Sequence, residues 1–286
     1  MKTLTSFLAI GLFTIGIQSV PAAFFVDFYL SAPGVQASFA QGNPGTATED
    51  FNSLSSGGKT GPGALSVGNY TGDFLIYAGD QWGGANGSRY VKDPNSFDIT
   101  FTTAARYVGF WWSAGNAGNI VNLYSGGAMV AEFTSSYLST YLNGGLGTVT
   151  ALDGTTYNTS SYYGNPNESN PGGHSNEPYG YINLFARNGA GFFDRVVFRN
   201  VGFEFDNITA SSSTEDPLNS IVGIGSVNSA SPTSFSPTFS TAYAAPSSVP
   251  EPGQVAASLL LLSGIGGYVF LKRRKTAKSA PATHAA

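Results

Sequence analysis

Glu204 and Asp206 stand two apart in "GFEFDNITA", where apolar and polar residues alternate with the period of a β-strand. On a strand their side chains share one face about 7 Å apart. Paired carboxylates at such a spacing can serve as general acid and base in cleaving a glycosidic bond. Other catalytic inventories are incomplete. The chain has no Cys and two His, and His174 is the one that lies within its body. Thiol catalysis is excluded, and a Ser-His-Asp triad would have to use His174. A zinc site without cysteine needs two or three histidines. The Gly-x-x-x-x-Gly-Lys-Ser/Thr motif that cradles a phosphate is absent.

Aromatic residues supply a different chemistry. In "YVGFWWS" the strand period places Val108, Phe110 and Trp112 on one face and Tyr107 and Trp111 on the other. If the first set fills the core, Tyr107 and Trp111 look outward, where flat rings suit the apolar C–H faces of sugars. The competing reading is that a loop covers Trp111. Two Gly-rich stretches could border that face. "YAGDQWGGANGSRY" holds Trp82, with Asp80 and Arg89 able to bond hydroxyl groups. "DGTTYNTSSYYGNPNESNPGGHSNEPYG", from Asp153 to Gly180, holds Tyr162 and Tyr163. The second has the Tyr, Asn, Ser and Gly composition of an adaptable recognition loop, and equally that of a disordered one.

The elements that must position these residues read as strands. "SFDITFT" alternates Phe97, Ile99 and Phe101 with Asp98, Thr100 and Thr102. "NIVNLYSGGAMVAEFT" reads as two strands joined at Gly126-Gly127. "TVTALDGTTY" turns at Asp153-Gly154, and "INLFARNGAGFFDRVVF" around Asn188-Gly189. No stretch keeps a helical period. Short strands and Gly-rich turns, with 21 Phe, 15 Tyr and 3 Trp to fill a core, predict an all-β domain over Phe24–Ala210: a two-sheet sandwich of jelly-roll or concanavalin-like type. From Ser211 to Ser248 the residues are mostly Ser, Thr, Pro and Ala, the composition of an extended stalk. "IVGIG" at Ile221–Gly225 could add one more strand.

In a jelly roll the first and last strands often lie side by side, which would bring Glu49 and Asp50 near Asp206. Carboxylates with backbone carbonyls suit calcium, a hard cation that takes six to eight oxygens. A structural calcium would help an exported domain that has no disulfides. The alternative is that Asp206 caps backbone or pairs with Arg195 or Arg199.

The two ends differ from this body. Lys2, the apolar run Leu4–Val20 and the small residues Ala22 and Ala23 form the pattern of a secretory signal peptide over residues 1–23. Near the other end, Val255–Leu271 is an uncharged run at the short limit of a membrane span. Lys272, Arg273, Arg274 and Lys275 follow it, which holds residues 276–286 in the cytoplasm. Between Phe24 and Gly253 seven Lys and Arg stand against all 17 Asp and Glu, a net charge of about −10. Such a body does not grip a phosphate backbone, so nucleic acid is not expected as a partner.

Val249-Pro250-Glu251-Pro252, then the apolar run, then Arg273-Arg274, resembles the PEP-CTERM sorting signal of exosortase-dependent bacterial surface proteins. The prolines keep the segment extended at the membrane face. The resemblance implies an inner-membrane intermediate, cleavage by an exosortase-type enzyme, and delivery to the cell surface or extracellular matrix. The tail Thr276–Ala286 is longer than is usual for such signals. "EDFNSL", "YVGFWWSAGN" and "GFEFDNITA" loosely resemble ectodomains of other PEP-CTERM proteins, which implies a surface protein without an assigned reaction. Glu204 and Asp206 also resemble the E-x-D-x-x-E strand of a jelly-roll glucanase family, but the third acid is replaced by Thr209. The expectation is therefore a non-enzymatic surface or matrix protein that associates with exopolysaccharide or with other surface components. The alternatives are a polysaccharide-active hydrolase and a purely structural coat protein.

Overall fold

The alternation at Phe97–Thr102 produces a strand, because its apolar residues reach the core while its threonines meet solvent. The same pattern recurs along the chain. The computed structural model describes residues 23–237, apart from 93, 95, 116, 145, 146, 201 and 215–222. The expected signal peptide, sorting motif, membrane helix, basic cluster and tail lie outside the described residues, save Ala23. No helix among the described residues is long and apolar enough to cross a membrane.

The strands are β1 (Phe25–Leu30), β2 (Thr46–Glu49), β3 (Gly57–Thr60), β4 (Gly63–Leu65), β5 (Gly68–Thr71) and β6 (Asp73–Tyr77). They continue with β7 (Tyr90–Lys92), β8 (Phe97–Ala105), β9 (Tyr107–Ser113), β10 (Ile120–Ser125), β11 (Ala128–Thr134) and β12 (Thr148–Thr150). The last are β13 (Thr156–Asn158), β14 (Gly180–Ala186), β15 (Phe193–Arg199), β16 (Glu204–Ser211), β17 (Gly225–Asn228) and β18 (Phe235–Pro237). A 10-stranded sheet runs β18-β17-β1-β14-β9-β16-β7-β6-β3, with β2 also paired to β16. A 6-stranded sheet runs β11-β10-β15-β8-β5-β4. Both are antiparallel, and they pack as an open sandwich.

The inner faces interlock through aromatic rings. Phe198 of the smaller sheet stacks on Phe205 of the larger one at 3.9 Å between centroids. Phe110 meets Phe198 edge-on at 5.3 Å, and Trp112 stacks on Phe203 at 4.8 Å. Such pairs add directional preference to burial. Close approach has one backbone requirement on β5, where a Cβ on Gly68 would run into the carbonyl oxygen of Thr100 on β8. The hairpin β10–β11 turns at Gly126 and Gly127, with φ of 58° and 82°, a conformation that glycine adopts without strain.

Three expectations about the elements are corrected. β14 and β15 form no hairpin: β14 pairs with β1 and β9 in the larger sheet, β15 with β8 and β10 in the smaller. The Asn188-Gly189 stretch instead carries the chain from one sheet to the other. A helix, α1 (Ser135–Asn143), follows β11, although its sequence has no long amphipathic pattern. Thr134 caps it by accepting from the Tyr137 N–H at 3.3 Å, and Leu138, Tyr141 and Leu142 are buried. Thr134→Ala is expected to lower stability by about 1 kcal/mol, read as a shift in the urea midpoint. The domain also does not end at Ala210. β17 pairs with β1 and β18 with β17, so part of the Ser-rich stretch expected as stalk completes the larger sheet.

Candidate functional site

Strand β9 has the two faces that its alternation requires. Val108, Phe110 and Trp112 belong to the central core. Tyr107 and Trp111 lie on the outer face of the larger sheet, but neither looks into solvent: they are 0% and 1% exposed. The expectation of outward stacking residues at these two positions is thus corrected. Trp111 is enclosed by Ala85, Ala114, Tyr179 and Tyr181. Tyr107 packs with Tyr29, Ala40 and Phe185. Segments 32–45, 78–88 and 164–179 roof this face, and burial of the two rings stabilises the roof. Tyr162 is likewise buried and donates to the Ser31 carbonyl at 2.9 Å. Tyr163 is half-buried and donates to Asn143 Oδ1 at 3.2 Å.

Under the roof sit the acids. Asp206 lies opposite Trp111 and Glu204 opposite Ser113, so the two carboxylates share the outer face as their spacing requires. Both are sealed, at 0% and 2% exposure. Asp206 Oδ2 accepts from the Ala85 N–H at 2.9 Å and the Ser88 hydroxyl at 2.6 Å, and Oδ1 accepts from the Asn207 N–H at 2.6 Å. Burial pushes its carboxyl up to about 7; these donors oppose the rise and the Asp50 charge adds to it. Glu204 Oε1 is 3.3 Å from Lys92 Nζ. A polymer cannot reach a carboxylate pair held this way, which counts against glycoside hydrolysis by Glu204 and Asp206. Arg195 pairs with Asp98 instead of Asp206, at 2.8 Å.

The calcium expectation meets a correction too. β2 does lie beside β16, with Glu49 opposite Ile208. Ile208 points into the core, so Glu49 follows it inward. There Oε1 accepts from Phe51 N–H at 2.9 Å and Oε2 from Ser66 N–H at 2.8 Å, across the edge of the sandwich. A bulge between Asp206 and Thr209, with Asn207 at φ 47°, puts Asp206 on the opposite face. Asp50 is exposed and accepts from Asn52 N–H at 3.0 Å. Among the described residues no three His, Cys, Asp or Glu side chains converge on a possible metal position.

The two Gly-rich loops both border the outer face and bond to each other. Asp80 Oδ1 accepts from Trp82 N–H at 2.8 Å, Gly83 N–H at 3.2 Å and the Tyr90 hydroxyl at 3.0 Å. Asn165 Nδ2 ties the longer loop to the Asp80 and Gln81 carbonyls at 3.2 Å each. Tyr179 donates to the Trp82 carbonyl at 3.1 Å. Asp80 is therefore a loop organiser, and Arg89, expected to bond ligand hydroxyls, is held on the Asn52 carbonyl at 2.6 Å. Trp82 remains half-buried, with the His174 ring 3.2 Å from it between centroids. His174 Nδ1 is 3.3 Å from Glu177 Oε2.

Two functional candidates escaped sequence reasoning. Lys92 Nζ lies 5.5 Å from the ring centroids of both Tyr77 and Trp82, and Tyr77 is an exposed aromatic residue at 41%. Alternation in "DFLIY" could have flagged Tyr77 as outward. Only the pairing of β6 with β7 and of β7 with β16 brings it to Lys92 and Glu204. Positive φ at Asn86, Ala114, His174 and Asn207, between 46° and 52°, marks the same roof and its supports, the kind of strained backbone that collects at functional sites. A separate cavity of about 270 Å³ opens beside β2, lined by Thr46, Ala47, Ser66, Val67, Thr102 and other small residues, with no charged or aromatic wall. Comparison of the chain with protein-family models, curated proteins and solved structures finds no match.

Proposed function

We propose that the chain is an exported surface or extracellular-matrix protein that associates, without catalysis, with exopolysaccharide. In this reading the sandwich is of jelly-roll or concanavalin-like type. A signal peptide over residues 1–23 exports it, and the helix Val255–Leu271 holds it in the inner membrane. An exosortase-type enzyme then processes it near Val249-Pro250-Glu251-Pro252, with Arg273 and Arg274 acting as the stop. The observation that supports non-enzymatic association is the roofed outer face. Its acids are sealed beneath two Gly-rich loops, while Trp82 and Tyr77 stay at the surface beside Lys92.

The test follows the tagged chain in the strain that encodes it. Wild type is expected in the surface or matrix fraction, shortened at its C-terminus. A variant with Pro250, Glu251 and Pro252 all replaced by Ala is expected to stay in the inner membrane at full length. The matrix form should co-sediment with the strain's own exopolysaccharide, equally with calcium and with chelator. Identical fractionation of the two chains would sink the sorting reading, and absence of co-sedimentation would leave a coat protein.

A further inference from the structure

Resting on the association just proposed, we infer that the corner formed by Leu75, Tyr77, Lys92 and Trp82 is where a neutral glycan chain lies. The floor is the Leu75–Tyr77 part of the outer face of β6 with Gly58 of β3 beside it; exposed Asp73 lies farther along the same face, opposite Thr60. Tyr77 is exposed there at 41%, Leu75 is half-buried, and Gly58 of β3 stands opposite Leu75 with no side chain to rise above it. The wall is Trp82, whose ring packs on His174 and whose backbone is fixed to Asp80 and Tyr179. At the junction Lys92 places its ammonium 5.5 Å from both rings.

Glu204, buried below, holds that ammonium at 3.3 Å. The pair is neutral overall but turns N–H donors toward the corner. An apolar floor, an aromatic wall and a pinned donor match a pyranose ring, whose C–H face is apolar and whose rim carries hydroxyl acceptors. Charge selects against a polyanion: the body carries about −10, and Glu204 already neutralises Lys92, so a uronate polymer meets the repulsion of the body and gains little from that ammonium.

Tryptophan emission reads this corner selectively, because Trp111 and Trp112 are 1% and 0% exposed while Trp82 is half-buried. The full chain in mild detergent is mixed with the strain's exopolysaccharide, with hydroxyethylcellulose as a neutral probe, or with alginate as a polyanionic one. Acrylamide quenching and co-sedimentation are measured together. The expected result is protection of Trp82 by the neutral polymer but not by alginate, and about tenfold weaker co-sedimentation for both Tyr77→Ala and Trp82→Ala. Tyr77→Ala lies on an exposed strand face, so it separates loss of the floor from any disturbance of the Trp82 loop. If both variants sediment like wild type, the corner is not the site although association stands. If alginate protects Trp82 better than hydroxyethylcellulose, the neutral assignment falls. If wild type sediments with no polymer, the association reading fails and this inference with it.

Discussion

Arg187→Ala is expected to destabilise the domain by about 3–5 kcal/mol in urea unfolding. Arg187 follows β14 and grips Asp27 of β1 with two bonds, Nε to Oδ2 at 2.6 Å and Nη2 to Oδ1 at 2.5 Å. Both side chains are nearly enclosed, at 10% and 2% exposure, and the guanidinium carbon lies 4.3 Å from the Phe25 ring centroid. Alanine would leave the Asp27 carboxylate buried without its counter-charge, and the cost comes mainly from that orphaned charge. Asp27→Asn in the Arg187→Ala background should therefore recover part of the loss, since it removes the charge that was stranded. Arg187→Lys should recover less than the full loss, because an ammonium cannot reproduce the planar two-bond fork. Equal stability of Arg187→Ala and wild type would show that the pair contributes nothing net. The pair also joins β1 to the end of β14, so the damage should appear as a cooperative loss of the whole larger sheet.

The second large effect is a pH dependence traceable to Asp206. Its carboxyl in the folded protein is pushed up to about 7 from an ordinary value of 3.8, chiefly by burial. A group raised on folding contributes stability that is complete below its unfolded pKa and is lost as pH rises through the folded one. Wild type should thus lose stability relative to Asp206→Asn between pH 3.8 and pH 7, and the difference should level off above that. A shift of this size corresponds to a change on the order of 4 kcal/mol across the window. Asparagine keeps an acceptor oxygen for the Ala85 N–H and the Ser88 hydroxyl but cannot ionise. Comparing the two proteins cancels the titration of the carboxylates that do not interact with Asp206. Urea unfolding of both from pH 4 to pH 8 supplies the measurement. A constant difference over that range would mean that Asp206 keeps one protonation state, and the burial argument would fail.

The same residue shows why the site was only partly legible. The alternation of "GFEFDNITA" correctly puts Glu204 and Asp206 on one face, because period two is a property of the extended backbone itself. It could not show that the bulge at Asn207 turns Glu49 and Asp206 to opposite faces. A bulge depends on which strand lies alongside, and β16 meets β9, β2 and β7. Tyr107 and Trp111 teach a similar lesson. Their separation from Val108, Phe110 and Trp112 is local, whereas their burial depends on loops far away in the chain. Helix α1 was hidden for a related reason: its nine residues hold three buried apolar side chains, too few for a helical period to stand out, and core contacts stabilise it.

By itself, then, the sequence determined the all-β class, the hairpins at Gly126-Gly127 and Asp153-Gly154, the two faces of β9 and the acidic charge of the body. Each depends on backbone period, turn chemistry or composition, which act over a few residues. Only the tertiary structure decided that β14 and β15 enter different sheets, that β17 and β18 complete the larger one, and that Lys92 stands between Tyr77 and Trp82 above Glu204. These depend on pairings between distant strands, and the free energy that selects them comes from burying whole faces at once.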